Sequence, residues 1–263
     1  MYEALREKFN KNGSELRNVQ LRMLDMMSEI DRICSENGIC YWLGYGSLLG
    51  AVRHGGFIPW DDDIDIEMTM EDARKFATIA EKQLPANLKI HSHKNDRFFF
   101  FPFMKVRDLN SRISEVTGVD KYYRYHGASI DIFPMRKSSN ILHKLGYQIQ
   151  LNALIRPAKY APFKWFHTLL IGVYQVVKLI FRCLGAIDRL AGCKNLRTTY
   201  GSTKVNPGIP EEVIFPVKKM SFEGLMFNVP QSPDIYLQKV YGDYMKLPDL
   251  DNIEIHAQHI EFL

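Results

Sequence analysis

The chain has 263 residues, 46% hydrophobic and 12% aromatic, enough apolar surface for a packed core, which excludes a disordered chain. Its 34 Lys and Arg against 30 Asp and Glu leave a formal charge of +4, without the dense basic run of a dedicated nucleic-acid binder. The four cysteines, Cys34, Cys40, Cys183 and Cys193, lack C-x-x-C spacing, which argues against a zinc cage or a disulfide framework and for reduced thiols. The opening residues MYEALREKFNKNGSEL carry charges where a signal peptide needs an apolar stretch, so the expected location is the cytoplasm.

From Ser14 to Asn37 the apolar residues Leu16, Val19, Met23, Leu24, Met27, Ile30 and Cys34 recur at helical spacing, which predicts an amphipathic helix ended by Gly38. Ile39 to Leu43 has strand length. Gly44, Tyr45, Gly46 and Ser47 make a small-residue turn into a short helix from Leu48 to about Arg53. After the loop His54 to Trp60, the segment Asp63-Ile64-Asp65-Ile66-Glu67-Met68 alternates strictly, so its acids share one face of a strand and its apolar residues the other. Thr69 and Asp72 read as the N-cap and acidic N3 of a helix running to about Leu84.

Leu88 to His93 and Arg97 to Val106, separated by Asn95-Asp96, predict paired strands, and Arg112 to Val116 and Ala128 to Phe133 predict two more. From Asn140 to about Tyr200 the sequence turns apolar-rich and helix-compatible. Within it, Lys164, His167, Tyr174, Gln175, Lys178 and Arg182 fall in one narrow helical stripe surrounded by apolar residues. Lys178 and Arg182 interrupt the run of about 20 apolar residues that a membrane span needs. Two expectations remain for this helix: burial in a subdomain, or a position flat on the cytoplasmic leaflet beside a lipid-linked acceptor. Ser221 to Val229 reads as a hairpin around Glu223-Gly224, and Asp234 to Val240 as a helix stopped by Gly242.

The expected fold is α+β: a mixed sheet flanked by helices, with a helical insertion or subdomain. Residues 1–138 form the expected catalytic core, 139–205 a helical subdomain on the acceptor or membrane side, and 206–263 a C-terminal segment packing back on the core.

The chemistry gathers on Gly46-Ser47, on Asp63-x-Asp65, and on Asp131 within Ile130-Asp131-Ile132-Phe133. Transfer from a nucleotide phosphate needs a helix N-terminus to receive phosphate and carboxylates that converge on a hard cation, Mg²⁺ or Mn²⁺. An isolated Asp-x-Asp is more often part of a solvated charge run, here Asp61-Asp62-Asp63; the Gly-Ser turn before it and a third strand acid after it favour the metal.

The stretch Leu43-Gly44-Tyr45-Gly46-Ser47-Leu48-Leu49-Gly50-Ala51-Val52-Arg53-His54, then Gly56-Phe57-Ile58-Pro59-Trp60-Asp61-Asp62-Asp63-Ile64-Asp65, resembles the signature of the LicD family of phosphocholine and phospho-alditol transferases, distantly fukutin-like and of nucleotidyltransferase fold. Asp131-Ile132-Phe133-Pro134 and Tyr241-Gly242-Asp243-Tyr244-Met245-Lys246-Leu247-Pro248 resemble the family's later motifs. The resemblance implies that Gly46 and Ser47 hold donor phosphate, that Asp63 and Asp65 bind metal, and that Asp131 completes the site; Asp131 as the base toward an acceptor hydroxyl is an inference from its chemistry.

Around these, Arg53 and His54 fall at the expected mouth of the cleft, Arg53 as a pyrophosphate clamp and His54 equally as a surface turn residue. Lys105, alternating with Arg107, is a candidate phosphate contact or an exposed strand residue. Trp60 suits a choline or nucleotide contact, although core packing is the commoner task of such a residue. Tyr122, Tyr123 and Tyr125 make another candidate aromatic wall, and Asp243 reads mainly as a structural latch. The function this implies is transfer of phosphocholine from CDP-choline to a hydroxyl of a cell-surface glycan: a teichoic acid, lipopolysaccharide or capsule precursor. The alternatives are transfer of glycerol phosphate, ribitol phosphate or a sugar phosphate, and an inactive glycan-binding scaffold.

Overall fold

In the computed structural model, which describes residues 2–115, 118–161, 163–202, 206–250 and 257–262, helix α1 (Tyr2–Phe9) leads to α2 (Glu15–Glu36). Ser14 starts α2 by accepting a hydrogen bond from the Arg17 N–H at 3.2 Å, and the periodic residues Val19, Met23, Met27 and Ile30 are buried as their spacing requires. Next come β1 (Tyr41–Leu43), α3 (Tyr45–His54), β2 (Ile64–Thr69) and α4 (Met70–Gln83). The Thr69 hydroxyl caps α4 by accepting from the Asp72 N–H at 3.0 Å. Helix α3 begins at Tyr45 rather than Leu48, so Gly46 and Ser47 belong to its first turn.

The chain continues through β3 (Leu88–His91), β4 (Met104–Asp108), β5 (Ser111–Glu115) and β6 (Ser129–Lys137). The strand expected from Arg97 starts only at Met104: Phe99, Phe100 and Phe103 are all buried in one aromatic cluster, a packing that strand alternation would not allow. The end of the strand expected at Val116 lies outside the described residues.

A helical layer follows: α5 (Asn140–Gln150), a π-helical turn, α6 (Arg156–Tyr160) and α7 (Lys164–Leu190). Before Tyr200, however, β7 (Leu196–Thr198) returns to the sheet and pairs with β6 at Met135 to Lys137, which is why β6 runs past Phe133. The chain closes with α8 (Glu211–Ile214), the predicted hairpin β8 (Lys218–Phe222) and β9 (Leu225–Val229), α9 (Pro233–Tyr241) ended at Gly242, and β10 (Ala257–Phe262), which pairs with β5.

The main sheet has the order β1-β2-β6-β4-β3, with β7 also on β6; β2 and β6 are parallel, and its other neighbouring strands are antiparallel. The fold is therefore a mixed-sheet α+β architecture. Ile64, Ile66, Met68, Ile130 and Ile132 turn one sheet face into the core shared with α2 and α4. On the other face Phe133 joins Tyr45, Phe103 and residues of α7 in a second core. Asp65, Glu67 and Asp131 lie on that same face and are themselves buried, so acids are enclosed between sheet and helices rather than solvated.

Candidate active site

Register brings the acids together. In the parallel pair β2–β6, Asp65 stands opposite Asp131, and in the antiparallel pair β4–β6, Lys105 stands opposite Asp131. Residues in register on adjacent strands project to the same face, so the three side chains form a row across three strands. The Lys105 ammonium closes on Asp131 Oδ1 at 2.9 Å. Lys105 thus has a carboxylate partner inside the protein rather than an exposed strand position, and Arg107 is also buried, donating to the Gly127 carbonyl at 2.8 Å.

Helix α3 adds backbone to this row. The Ser47 hydroxyl accepts the Asp65 N–H at 2.7 Å, fixing the first turn of the helix to the strand that carries the acids. Gly46 has no room for a side chain: a Cβ there would lie 2.8 Å from Asp61 Oδ2. The Asp61 carboxylate therefore sits on the N-terminal turn of α3, where backbone N–H groups favour negative charge. Its loop is tied down by Gln20, whose amide donates to the Asp61 carbonyl at 2.8 Å.

A cleft of about 620 Å³ opens here, lined by Gly46, Arg53, Trp60, Asp61, Asp63 and Asp65 on one side and by Tyr241, Asp243, Tyr244 and Lys246 on the other. Of the residues expected from sequence, the structure places Gly46, Arg53, Trp60, Asp63 and Asp65 around this space. Ser47, His54, Lys105 and Asp131 are not in its lining. Arg53 reaches the C-terminal segment, donating to the Tyr244 carbonyl at 2.9 Å and the Lys246 carbonyl at 3.3 Å. Its Nε donates to His54 Nε2 at 3.0 Å. Burial, and then the Arg53 charge, push the His54 imidazole down to about 4, so it accepts that bond as the neutral ring. Trp60 packs edge-on to Phe9 and His54, with centroid separations of 5.4 and 6.2 Å. Tyr122 and Tyr123 lie elsewhere, against Phe98, Phe99, His91 and His167.

Asp131 has the electrostatics of a proton acceptor. Burial raises its pKa, the Lys105 charge pulls it back, and the nearby Asp63 charge raises it again, with a net upward direction. Below the row, Glu67 is fully enclosed; its Oε2 accepts from Trp42 Nε1 at 2.6 Å, and the Tyr236 hydroxyl is a second partner. Burial pushes this carboxyl up to about 7 against those two hydrogen bonds.

Among the described residues no three His, Cys, Asp or Glu side chains are already gathered in the manner of a metal cage. Mg²⁺ does not need one: it keeps several waters and is held by one or two carboxylates together with substrate phosphates. Asp65 on β2 and Asp63 just before it, facing one cleft with Asp61, supply the oxygen donors that such an ion takes.

Three residues of this site were not singled out as site residues by sequence. Asp61 was visible only within a charge run, Glu67 as the last acid of an alternating strand, and Tyr244 within a C-terminal motif whose distance in sequence hid its position across the cleft.

The LicD/FKTN/FKRP nucleotidyltransferase-domain family model matches residues 38–166, which include α3, β2, β4 and β6. Lipopolysaccharide cholinephosphotransferase LicD of Haemophilus influenzae is 27% identical over 259 residues, covering 94% of this chain and 96% of the relative. The chain carries a LicD-family domain over residues 38–166. Ribitol 5-phosphate transferase FKRP of Homo sapiens is 60% identical over 35 residues, covering 13% of this chain and 7% of the relative. Mannosyltransferase regulator 4 of Saccharomyces cerevisiae is 35% identical over 52 residues, covering 20% of this chain and 4% of the relative. The similarity to the Haemophilus LicD protein extends along nearly the whole chain, and those to the two eukaryotic proteins over short segments.

Proposed function

We propose that this protein is a transferase that moves phosphocholine from CDP-choline to a hydroxyl of a cell-surface glycan, with Mg²⁺ or Mn²⁺ at Asp63 and Asp65. The observation that carries the reading is the joining of Asp63, Asp65 and the first turn of α3 around one cleft, with Asp131 in register behind them. The full-length similarity to a lipopolysaccharide cholinephosphotransferase supports the choice of head group and of a glycan acceptor.

In this reading Asp63 and Asp65 would hold the metal, which would supply charge neutralisation for the donor phosphates. Arg53, anchored to the Tyr244 and Lys246 carbonyls in the cleft wall, is the cation for the pyrophosphate in this reading. Asp131 takes the proton from the acceptor hydroxyl, and Lys105 keeps the carboxylate from holding a proton too tightly at neutral pH. The acceptor oxygen bonds to phosphorus as the phosphoanhydride bond breaks, and CMP leaves with the electron pair. Trp60 contributes its ring at the cleft wall, where a quaternary ammonium is attracted to an aromatic face.

Helix α7 favours work at a membrane surface, on a lipid-linked acceptor. It has 27 residues and is long and apolar enough to cross a membrane, with 33% of its most apolar stretch buried. The polar stripe divides: His167 and Tyr174 are buried together with Leu170, Val177, Phe181 and Leu184, whereas Lys164, Gln175 and Arg182 are exposed, and so are the apolar Trp165, Leu169, Val176 and Leu190, at 63%, 60%, 60% and 89%. An apolar stripe turned outward along a helix that rests on a folded body suits the interface of a cytoplasmic leaflet.

The test is calorimetric titration of CDP-choline, CDP-glycerol and CDP-ribitol into the full-length protein with Mg²⁺, with chelator, and in Asp65→Asn. Metal-dependent binding of CDP-choline alone is expected. Binding of another donor instead moves the head group to an alditol phosphate, and no binding to any of the three defeats the donor assignment.

A further inference from the structure

A second cleft is larger than the one that holds the acids. A space of about 1140 Å³ lies between α7 and the C-terminal ends of β2 and β6, lined from the sheet by Thr69, Met135 and Arg136 and from the helix by Lys178, Arg182 and Arg189. Thr69 and Met135 are in register, as Asp65 and Asp131 are, so the two clefts are four residues apart along the same strands, or about 13 Å at strand rise. Phe133 lies between them on that face and packs on Phe103 with a centroid separation of 4.8 Å.

The lining has the character of an anion site. It contains seven Lys or Arg side chains and two carboxylates, Asp188 and Glu211. Both carboxylates are engaged: Asp188 accepts from the Tyr200 hydroxyl, and Glu211 pairs with Lys137 at 2.8 Å. Arg136, Lys178 and Arg182 make no ion pair with any described carboxylate. Gly185 clears the space for Arg136, since a Cβ there would lie 2.1 Å from its Nη2. The Arg136 guanidinium is 4.5 Å from the centroid of the Tyr200 ring, and its Nε is buried without a hydrogen bond to a described residue. Stacking uses the face of a guanidinium and leaves its in-plane fork for a ligand. Burial, and then the neighbouring Arg182, pull the Lys178 ammonium below its usual range, a crowding that an anion would relieve. The lining also has an apolar part, with Phe101, Phe103 and Phe181 in it.

We propose that this cleft is a second substrate site, which takes the phosphate or pyrophosphate of an amphiphilic acceptor. The anion binds Arg136, Lys178 and Arg182, and the apolar part runs along the aromatic floor toward the outward face of α7. The proposal rests on the reading of a lipid-linked acceptor and adds which residues hold it.

The experiment is calorimetric titration of octyl phosphate, inorganic phosphate and octyl glucoside, below micelle-forming concentrations, into the full-length protein and into Lys178→Gln/Arg182→Gln and Arg189→Gln variants. CDP-choline binding is measured on each. Saturable binding of octyl phosphate is expected, weakened roughly tenfold or more by the double variant, with CDP-choline binding retained. Arg189 lies along the same lining, so Arg189→Gln is expected to weaken octyl phosphate binding less than the double variant does, and it reports if the double variant fails to fold. Equal binding of octyl phosphate to all proteins, or equal binding of octyl glucoside, overturns the proposal by showing capture through the apolar face alone. Equal binding of inorganic phosphate overturns the amphiphile, and displacement of octyl phosphate by CDP-choline assigns the cleft to the donor. If CDP-choline fails to bind while octyl phosphate binds as expected, the donor reading fails and the second site stands.

Discussion

At the N-terminal ends of β2 and β6 the protein gathers negative charge: five carboxylates, Asp61, Asp63, Asp65, Asp243 and Asp249, line a cleft with two cations, Arg53 and Lys246. At the C-terminal ends of the same strands it gathers positive charge, seven cations with two carboxylates already engaged. One pair of parallel strands thus separates two fields of opposite sign by about 13 Å. The first suits a metal ion that brings its own phosphates; the second suits a phosphate that brings no metal. A single mixed site would hold neither, because its charges would satisfy one another.

The largest effect that tests the contrast is loss of the acid cleft. Asp65→Asn keeps the size of the side chain and removes the charge, and transfer activity is expected to fall by about 10²–10³-fold with metal-dependent donor binding lost. Octyl phosphate binding should be unchanged in the same variant. If both ligands weaken together, the two clefts are one site.

Below the acid row, Glu67 offers a pH test of burial. Its folded pKa of about 7 lies above the ordinary 4.5, a span worth about 3 kcal/mol. A carboxyl raised on folding contributes its full stability below the unfolded value, where both states hold the proton. That contribution is lost as the pH rises through the window from 4.5 to about 7, because the unfolded state ionises first. Urea unfolding of the wild type against Glu67→Gln should show the variant flatter across this window, and parallel curves would remove Glu67 from the account.

Lys105→Met should cost about 2 kcal/mol of stability, since the Asp131–Lys105 pair is largely buried and truncation leaves the carboxylate uncompensated. It should also move the acidic limb of the pH–rate profile upward, because Lys105 is the main charge that lowers the Asp131 pKa. A stability loss with an unmoved limb would make the pair structural and take the base role from Asp131.

How much of this was open to reading follows from where the information sits in the chain. β2 announced itself because Asp63 to Met68 alternates, and Thr69 with Asp72 marked the next element by a local cap. The row Asp65–Asp131–Lys105 was half legible: each residue lay in a strand-like run, but the register that aligns them depends on non-local pairing. Arg53 was placed near the cleft, yet its partners are carbonyls almost two hundred residues later. The stretch from Phe98 to Phe103 was misread as a strand because apolar content alone does not distinguish a pleat from a cluster buried on several sides. The cationic cleft was least legible, since its residues come from α4, β6, α7 and the loops between them.

The smallest expected effect concerns the outer face of α7. Leu169→Gln and Val176→Gln change residues that are 60% exposed, so the folded protein should lose little stability. In an ordinary amphipathic helix the same changes would remove core contacts, because its apolar stripe faces inward. Here Leu170, Val177, Phe181 and Leu184 already fill the inner face and Leu169 and Val176 belong to a second, outward apolar stripe, so the side chains at stake gain their burial only from a partner. Each large apolar side chain transferred to a bilayer interface contributes on the order of 1 kcal/mol, and each substitution should weaken partition onto anionic vesicles by about tenfold or less. Co-sedimentation with vesicles measures this directly. A loss of thermal stability without a change in sedimentation would mean that this face is covered by protein, and the contrast between the two ends of the sheet would then no longer involve a membrane.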